Sequence, residues 1–116
     1  MKKLSAINKL FIIALQNNQL DELRNLLNQG ADIHVDNDEA LRHSATYGHL
    51  EIVKFLVTHG ANIHAGDEQA LGNSAANGHL DVVKFLTAKG ANIHADDDYA
   101  LRYSARAGHL EIDKTL

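Results

Sequence analysis

A period of thirty residues constrains this chain more than any other feature. Gly30, Gly60 and Gly90 are thirty residues apart, as are Gly48, Gly78 and Gly108, and Leu50, Leu80 and Leu110. Six histidines keep the same step in two series, His34, His64, His94 and His49, His79, His109. The unit reads "GA(D/N)IH", a short acidic stretch, "AL", "SA" and, in its best-matched copies, "GHL(E/D)(I/V)VKFL". A repeat of this length is one supersecondary unit that buries its apolar face only against its neighbours. Extending the phase backwards puts Phe11 with Leu41, Ala14 with Ser44, Asn18 with Gly48 and Leu26 with Leu56. The chain therefore reads as one domain of four units, about 1–29, 30–59, 60–89 and 90–116, the first diverged and the last incomplete.

Each unit reads as two helices. "EALRHSATY" sets Ala40, Leu41, Ser44 and Ala45 along one stripe at spacings of three and four, mostly small, so this helix can approach its neighbours closely. "HLEIVKFLVTH" carries a broader apolar face of Leu50, Ile52, Val53, Phe55 and Leu56. Gly48 and Gly60 close the two helices, because a helix commonly ends on a left-handed residue that glycine adopts freely. Asn18 stands at the Gly48 phase in the first unit, and asparagine tolerates that conformation.

These residues resemble the ankyrin repeat, on "ALRHSATYGHLEIVKFLVTHGANIHA" and its copies, over nearly the whole chain. The usual family unit is about 33 residues with "TPLHxA" at the start of its first helix. Here the unit is thirty and the start is "EALR", "QALG" or "YALR". The missing residues fall in the family's projecting hairpin, so short turns are expected in place of long fingers. This short form is similar to the ankyrin repeats abundant in giant DNA viruses. The resemblance implies an all-α helix-turn-helix solenoid, no catalysis, no cofactor and a protein-binding role on a concave face.

The histidines raise the question of a metal site. Equivalent atoms of stacked helices lie roughly 10 Å apart, whereas ligands of one ion sit about 2 Å from it, so neither series converges on a single metal. His49, His79 and His109 are expected to open the second helix and bond a nearby backbone group. His34, His64 and His94 are expected to make turn bonds, with a neutral imidazole able to bridge backbone groups of neighbouring units. If this second series were buried and neutral, stability would fall as pH drops through about 6.5.

Function in a repeat array lies where the copies differ, since matched positions serve the stack. The outward stripe of the first helices varies: Glu39, Arg42, His43 and Thr46; Gln69, Gly72, Asn73 and Ala76; Tyr99, Arg102, Tyr103 and Arg106. The candidate partner-binding residues are Glu39, Arg42, His43, Thr46, Gln69, Asn73, Tyr99, Arg102, Tyr103 and Arg106. The two tyrosines and two arginines of the last unit are types enriched at binding hot spots. The plain alternative is a solvated helix face with cation–π contacts. Asp36, Asn37, Asp38, Asp67, Glu68, Asp96, Asp97 and Asp98 are expected to form an acidic rim, either merely solvated or facing a basic partner. They lack the glycine and terminal glutamate of an EF-hand calcium loop.

Composition narrows the remaining classes. A formal charge of −4 disfavours nucleic acid as the partner. The chain has no cysteine, which excludes disulfides and thiolate metal sites and fits a reducing compartment. No nucleophile elbow, zincin or P-loop motif is present. No stretch approaches the ~20 apolar residues of a membrane span, so no membrane partner is expected. Asn8 and Lys9 split the apolar run that follows Lys2 and Lys3, so no secretory signal is expected. The expected location is the cytoplasm, of a host cell if the source is viral. The partner is an unidentified protein, with self-association through the repeat ends, or membership of a longer array, as the alternative. Asp113 and Thr115 stand where Val53 and Phe55 stand in unit 2, which suggests an end cap, a fragment end or a face covered by a second copy.

Overall fold

The structure is a computed structural model that describes residues 6–116, apart from the side chain of Asp113. The basic start of the signal-like segment, Met1 to Ser5, and the proposed capping role of the Asp113 side chain lie outside what it describes. Among the described residues there are eight helices and no strand: α1 (Ala6–Gln16), α2 (Leu20–Asn28), α3 (Val35–Thr46), α4 (Leu50–Thr58), α5 (Ala65–Ala76), α6 (Leu80–Ala88), α7 (Ala95–Arg106) and α8 (Leu110–Thr115). They form two rows. The first helices pack in the order α1, α3, α5, α7, and the second helices α4, α6 and α8 line up behind them. This is the all-α solenoid of helix pairs that the sequence implies.

Close packing of the first row follows from its small residues. Ala40, Ala45, Ala70 and Ala75 are buried, together with Ser44 and Ser74. Ser44 Oγ donates to the Ala40 and Leu41 carbonyls at 2.8 and 3.1 Å, and Ser74 Oγ donates to Leu71 O at 2.9 Å, so each hydroxyl is satisfied within its own helix. The second row supplies bulk: Leu23, Leu26, Ile52, Val53, Leu56, Val82, Val83, Leu86 and Ile112 are buried in one continuous core.

The turns explain the period. At the end of α3, Gly48 N–H donates to Ala45 O and His49 N–H to Ser44 O, the paired bonds of a Schellman motif. That motif needs a left-handed residue, and Gly48, Gly78 and Gly108 have φ of +75°, +80° and +80°. Asn18 fills the same role in unit 1 at φ +55°.

The expected short turn between units is a left-handed one. Asp36, Asn37 and Asp38 have φ of 55°, 55° and 56°, within the first turn of α3. Gly66, Asp67 and Glu68, and then Asp96, Asp97 and Asp98, repeat it. Such values are costly for most side chains and least so for glycine, asparagine and aspartate. Apart from Glu68, the acidic stretches are therefore written in residues that the backbone geometry tolerates.

Candidate functional site

In units 2 and 3 the third residue of the left-handed turn works inside the stack. Asp38 Oδ2 accepts the Asn62 N–H of the next unit at 2.7 Å, and Glu68 Oε2 accepts the Asn92 N–H at 3.1 Å. Asn8 Oδ1, at the same phase in unit 1, accepts the Asp32 N–H at 2.8 Å. Asp38 and Glu68 are buried, 4% and 7% exposed, so they do not belong to the acidic rim expected from sequence. Their carboxylates also meet the histidines: His34 Nδ1 is 3.0 Å from both Asp38 oxygens, His64 Nδ1 contacts Glu68 Oε1, and His94 Nδ1 is 2.7 Å from Asp98 Oδ1. The second histidine series thus makes turn bonds, but to a carboxylate of its own unit. The bridge to the next unit is made by that carboxylate and not by the imidazole. The side chains of His34, His64 and His94 are 53, 56 and 75% exposed. The burial that the acid-sensitivity expectation presupposed is therefore absent.

The first histidine series sits at the start of the second helices and reaches backwards. The His79 ring lies against Gly48, where a Cβ would come within 2.5 Å of Nδ1, and the His109 ring lies against Gly78. His109 Nε2 also donates to Ala76 O at 3.1 Å, across the unit boundary. Among the described residues no group of three or more His, Cys, Asp or Glu side chains gathers as a metal site would require. No helix there is long and apolar enough to cross a membrane.

The variable stripe forms a connected row along the first helices. Arg42 Nη1 donates to Gln69 Oε1 at 2.9 Å, Asn73 Nδ2 to Thr46 Oγ1 at 3.3 Å, and the Tyr99 hydroxyl to Asn73 Oδ1 at 3.4 Å. Tyr99 stacks on Tyr103 with ring centroids 4.3 Å apart, and Arg106 and Arg102 lie 5.0 and 5.7 Å from the Tyr103 ring centre. Units 2, 3 and 4 are thus joined side chain to side chain, and Arg106 stays exposed. Burial raises the pKa of the Glu39 carboxyl, reinforced by the hydrogen bond and charge of Asp36 and opposed by Arg42. Burial lowers the pKa of His43, with the charge of His49 adding to it, and its ring packs on Tyr47 at 4.6 Å.

Two of the candidates fold back onto their own unit. Arg42 donates from Nε to Asn37 O and from Nη2 to Asp36 O, both at 2.9 Å, and so clasps its own left-handed turn. Arg102 makes the same pair with Asp97 O and Asp96 O at 2.7 and 3.3 Å. Sequence reading missed this role, and it missed Ile13. Thirty residues before His43, Ile13 is 51% exposed at the same phase of unit 1. Its phase was the available signal.

No curated protein matches the chain. The family model described as ankyrin repeats (3 copies) matches residues 10–97, most of the sequence. Ankyrin repeats are generally protein–protein interaction modules, typically non-catalytic scaffolds. The thirty-residue period, the two rows of helices and that match together place the chain in the ankyrin repeat family.

Proposed function

We propose that the concave face formed by the first helices binds a protein partner, with no catalytic step. The observation that supports this most is the connected row from Arg42 and Thr46 through Gln69 and Asn73 to Tyr99 and Tyr103. Side chains held by one another lose little freedom on binding, which lowers the cost of association. The Tyr99–Tyr103 stack with Arg106 supplies residue types that dominate interface energy. The proposed contact residues are Glu39, His43, Thr46, Gln69, Asn73, Tyr99, Tyr103 and Arg106, with Arg42 and Arg102 holding the turns beneath them. The test compares the full chain with a Tyr103→Ala, Arg106→Ala variant as bait. Partners that bind purified wild-type protein and lose the variant, at equal melting temperature, support the reading. Equal capture by both proteins removes it.

Self-association is the second reading, favoured by the face of unit 4. Leu110 and Leu101 are 68 and 40% exposed there. Light scattering over a hundredfold concentration range decides between the two. A dimer that survives Tyr103→Ala and dissociates in Leu110→Asp makes self-association the better account.

A further inference from the structure

Between Arg42 of unit 2 and Arg102 of unit 4, the array's pattern of support is interrupted in unit 3. Arg42 lies between two successive turns. It clasps the Asp36 and Asn37 carbonyls behind it, and its stem and Nη1 reach Gly66 and Gln69 of the next unit. Gly72 stands thirty residues later, so unit 3 has no side chain to place between its turn and that of unit 4. A cavity of about 300 Å3 opens at that place, lined among others by Gly66, Asp67, Gly72, Asp96 and Tyr99. The Tyr99 ring sits so close over Gly72 that a Cβ there would come within 2.6 Å of it, which keeps any longer side chain of residue 72 out while Tyr99 stays in place.

We propose that this slot receives an arginine side chain from a protein partner. The inference deepens the reading that the concave face binds a protein, and rests on it. Arg42 and Arg102 show what the slot holds elsewhere in the same molecule: a planar guanidinium set on the first two carbonyls of a left-handed turn. In unit 3 those carbonyls belong to Gly66 and Asp67. A carbonyl oxygen has two lone pairs, so each can accept from a guanidinium even while it serves a backbone bond. The wall facing them changes from Gly66 and Gln69, in the slot Arg42 fills, to Asp96 and Tyr99. Asp67 and Asp96 are exposed carboxylates at the rim, and they complement a cation on a chain of net charge −4. Tyr99 offers an aromatic ring against which a guanidinium stacks better than an ammonium. The forked donors match the carbonyl pair, whereas a lysine places one point charge with no fork.

The probe is the capped tripeptide acetyl-Gly-Arg-Gly-amide, titrated into the full chain and followed by amide chemical shifts. Its lysine and citrulline counterparts and free arginine are run beside it. The arginine peptide is expected to bind in the millimolar range, with shifts centred on Gly66–Gly72 and Asp96–Tyr99. The lysine and citrulline peptides are expected to bind at least about tenfold more weakly. The Asp67→Asn, Asp96→Asn variant keeps the shape of the slot and is expected to bind the arginine peptide several-fold more weakly. The Gly72→Arg, Tyr99→Gln variant rebuilds the arrangement of Arg42 with Gln69. It is expected to abolish peptide binding and to raise the melting temperature. Equal shifts with all three peptides, shifts centred elsewhere, or none with the arginine peptide overturn the proposal. Tighter binding of free arginine than of the capped peptide overturns the assignment to a protein partner. If the arginine peptide fails while a Tyr103-dependent partner still binds, only the slot is lost. If it binds and no such partner exists, the wider face is lost and the slot stands.

Discussion

Units 3 and 4 share the framework residues of the repeat and meet different surroundings. Leu71 and Leu101 occupy one phase, yet Leu71 is 1% exposed and Leu101 40%. The side chain of Glu68 is 8% exposed and that of Asp98 47%. Gly78 lies beneath the His109 ring, and Gly108 has nothing within 4 Å of where its Cβ would be. In each pair the difference comes from the following unit, which covers the first residue and not the second. An ankyrin unit is therefore not a finished piece: its apolar stripe, its turn carboxylate and its helix-closing glycine are completed by its neighbour.

Substitutions at paired positions should have unequal costs. The largest gap is expected for leucine. Leu71→Ala should lower unfolding stability by about 2–5 kcal/mol, and Leu101→Ala by no more than about 1.5 kcal/mol. Denaturant titration of the two variants against wild type measures the gap, and equal losses would break the comparison. The carboxylates come next. Glu68→Ala removes the buried carboxylate that accepts from the Asn92 N–H and pairs with the His64 imidazole, at about 1–3 kcal/mol. Asp98→Ala should cost about 0.5 kcal/mol, since its pair with His94 is solvated.

The glycines give a smaller contrast with a separable cause. Gly78→Ala and Gly108→Ala both place a side chain at φ +80°, a cost of about 1–2 kcal/mol. At Gly78 the new methyl also displaces the His109 ring from its bond to Ala76 O, adding about 1 kcal/mol. Removing the ring with His109→Ala should abolish the excess, which a double-mutant cycle reads directly.

The smallest effect concerns His43. Its pKa is lowered by burial, so the folded chain holds that proton less tightly than the unfolded chain. Its contribution is whole above the unfolded value and is lost as pH falls through about 6.5. Melting temperatures at about pH 7.5 and 5.5 should therefore differ less for His43→Gln than for wild type. Glu39, raised by burial, acts with the opposite sign: it takes stability away as pH rises through its titration.

Much of this architecture is legible in the sequence because it repeats. The helix pairs follow from the apolar stripes, and the left-handed closures follow from Gly48 and its equivalents, with Asn18 as the revealing substitute. The roles of the acidic triplets are not legible. A charged residue in a turn reads as surface, since aspartate and glutamate are rarely buried without partners. The partners of Asp38 and Glu68 lie in a neighbouring unit, on a backbone amide that composition does not display. For the same reason Arg42 reads as an outward contact although it clasps its own turn. Gly72 reads as one more small residue, because an opening between units exists only once the facing side chains are placed.

The claim that each unit is completed by the next is tested most directly by hydrogen exchange at two amides. Asn62 and Asn92 lie in exposed turns between helices, where amides ordinarily exchange fast. Each donates to a buried carboxylate of the preceding unit. The account predicts protection at both positions comparable to that of the flanking helices, and loss of protection at Asn92 alone in Glu68→Ala. Free-turn exchange rates at both amides in the wild-type protein would contradict it.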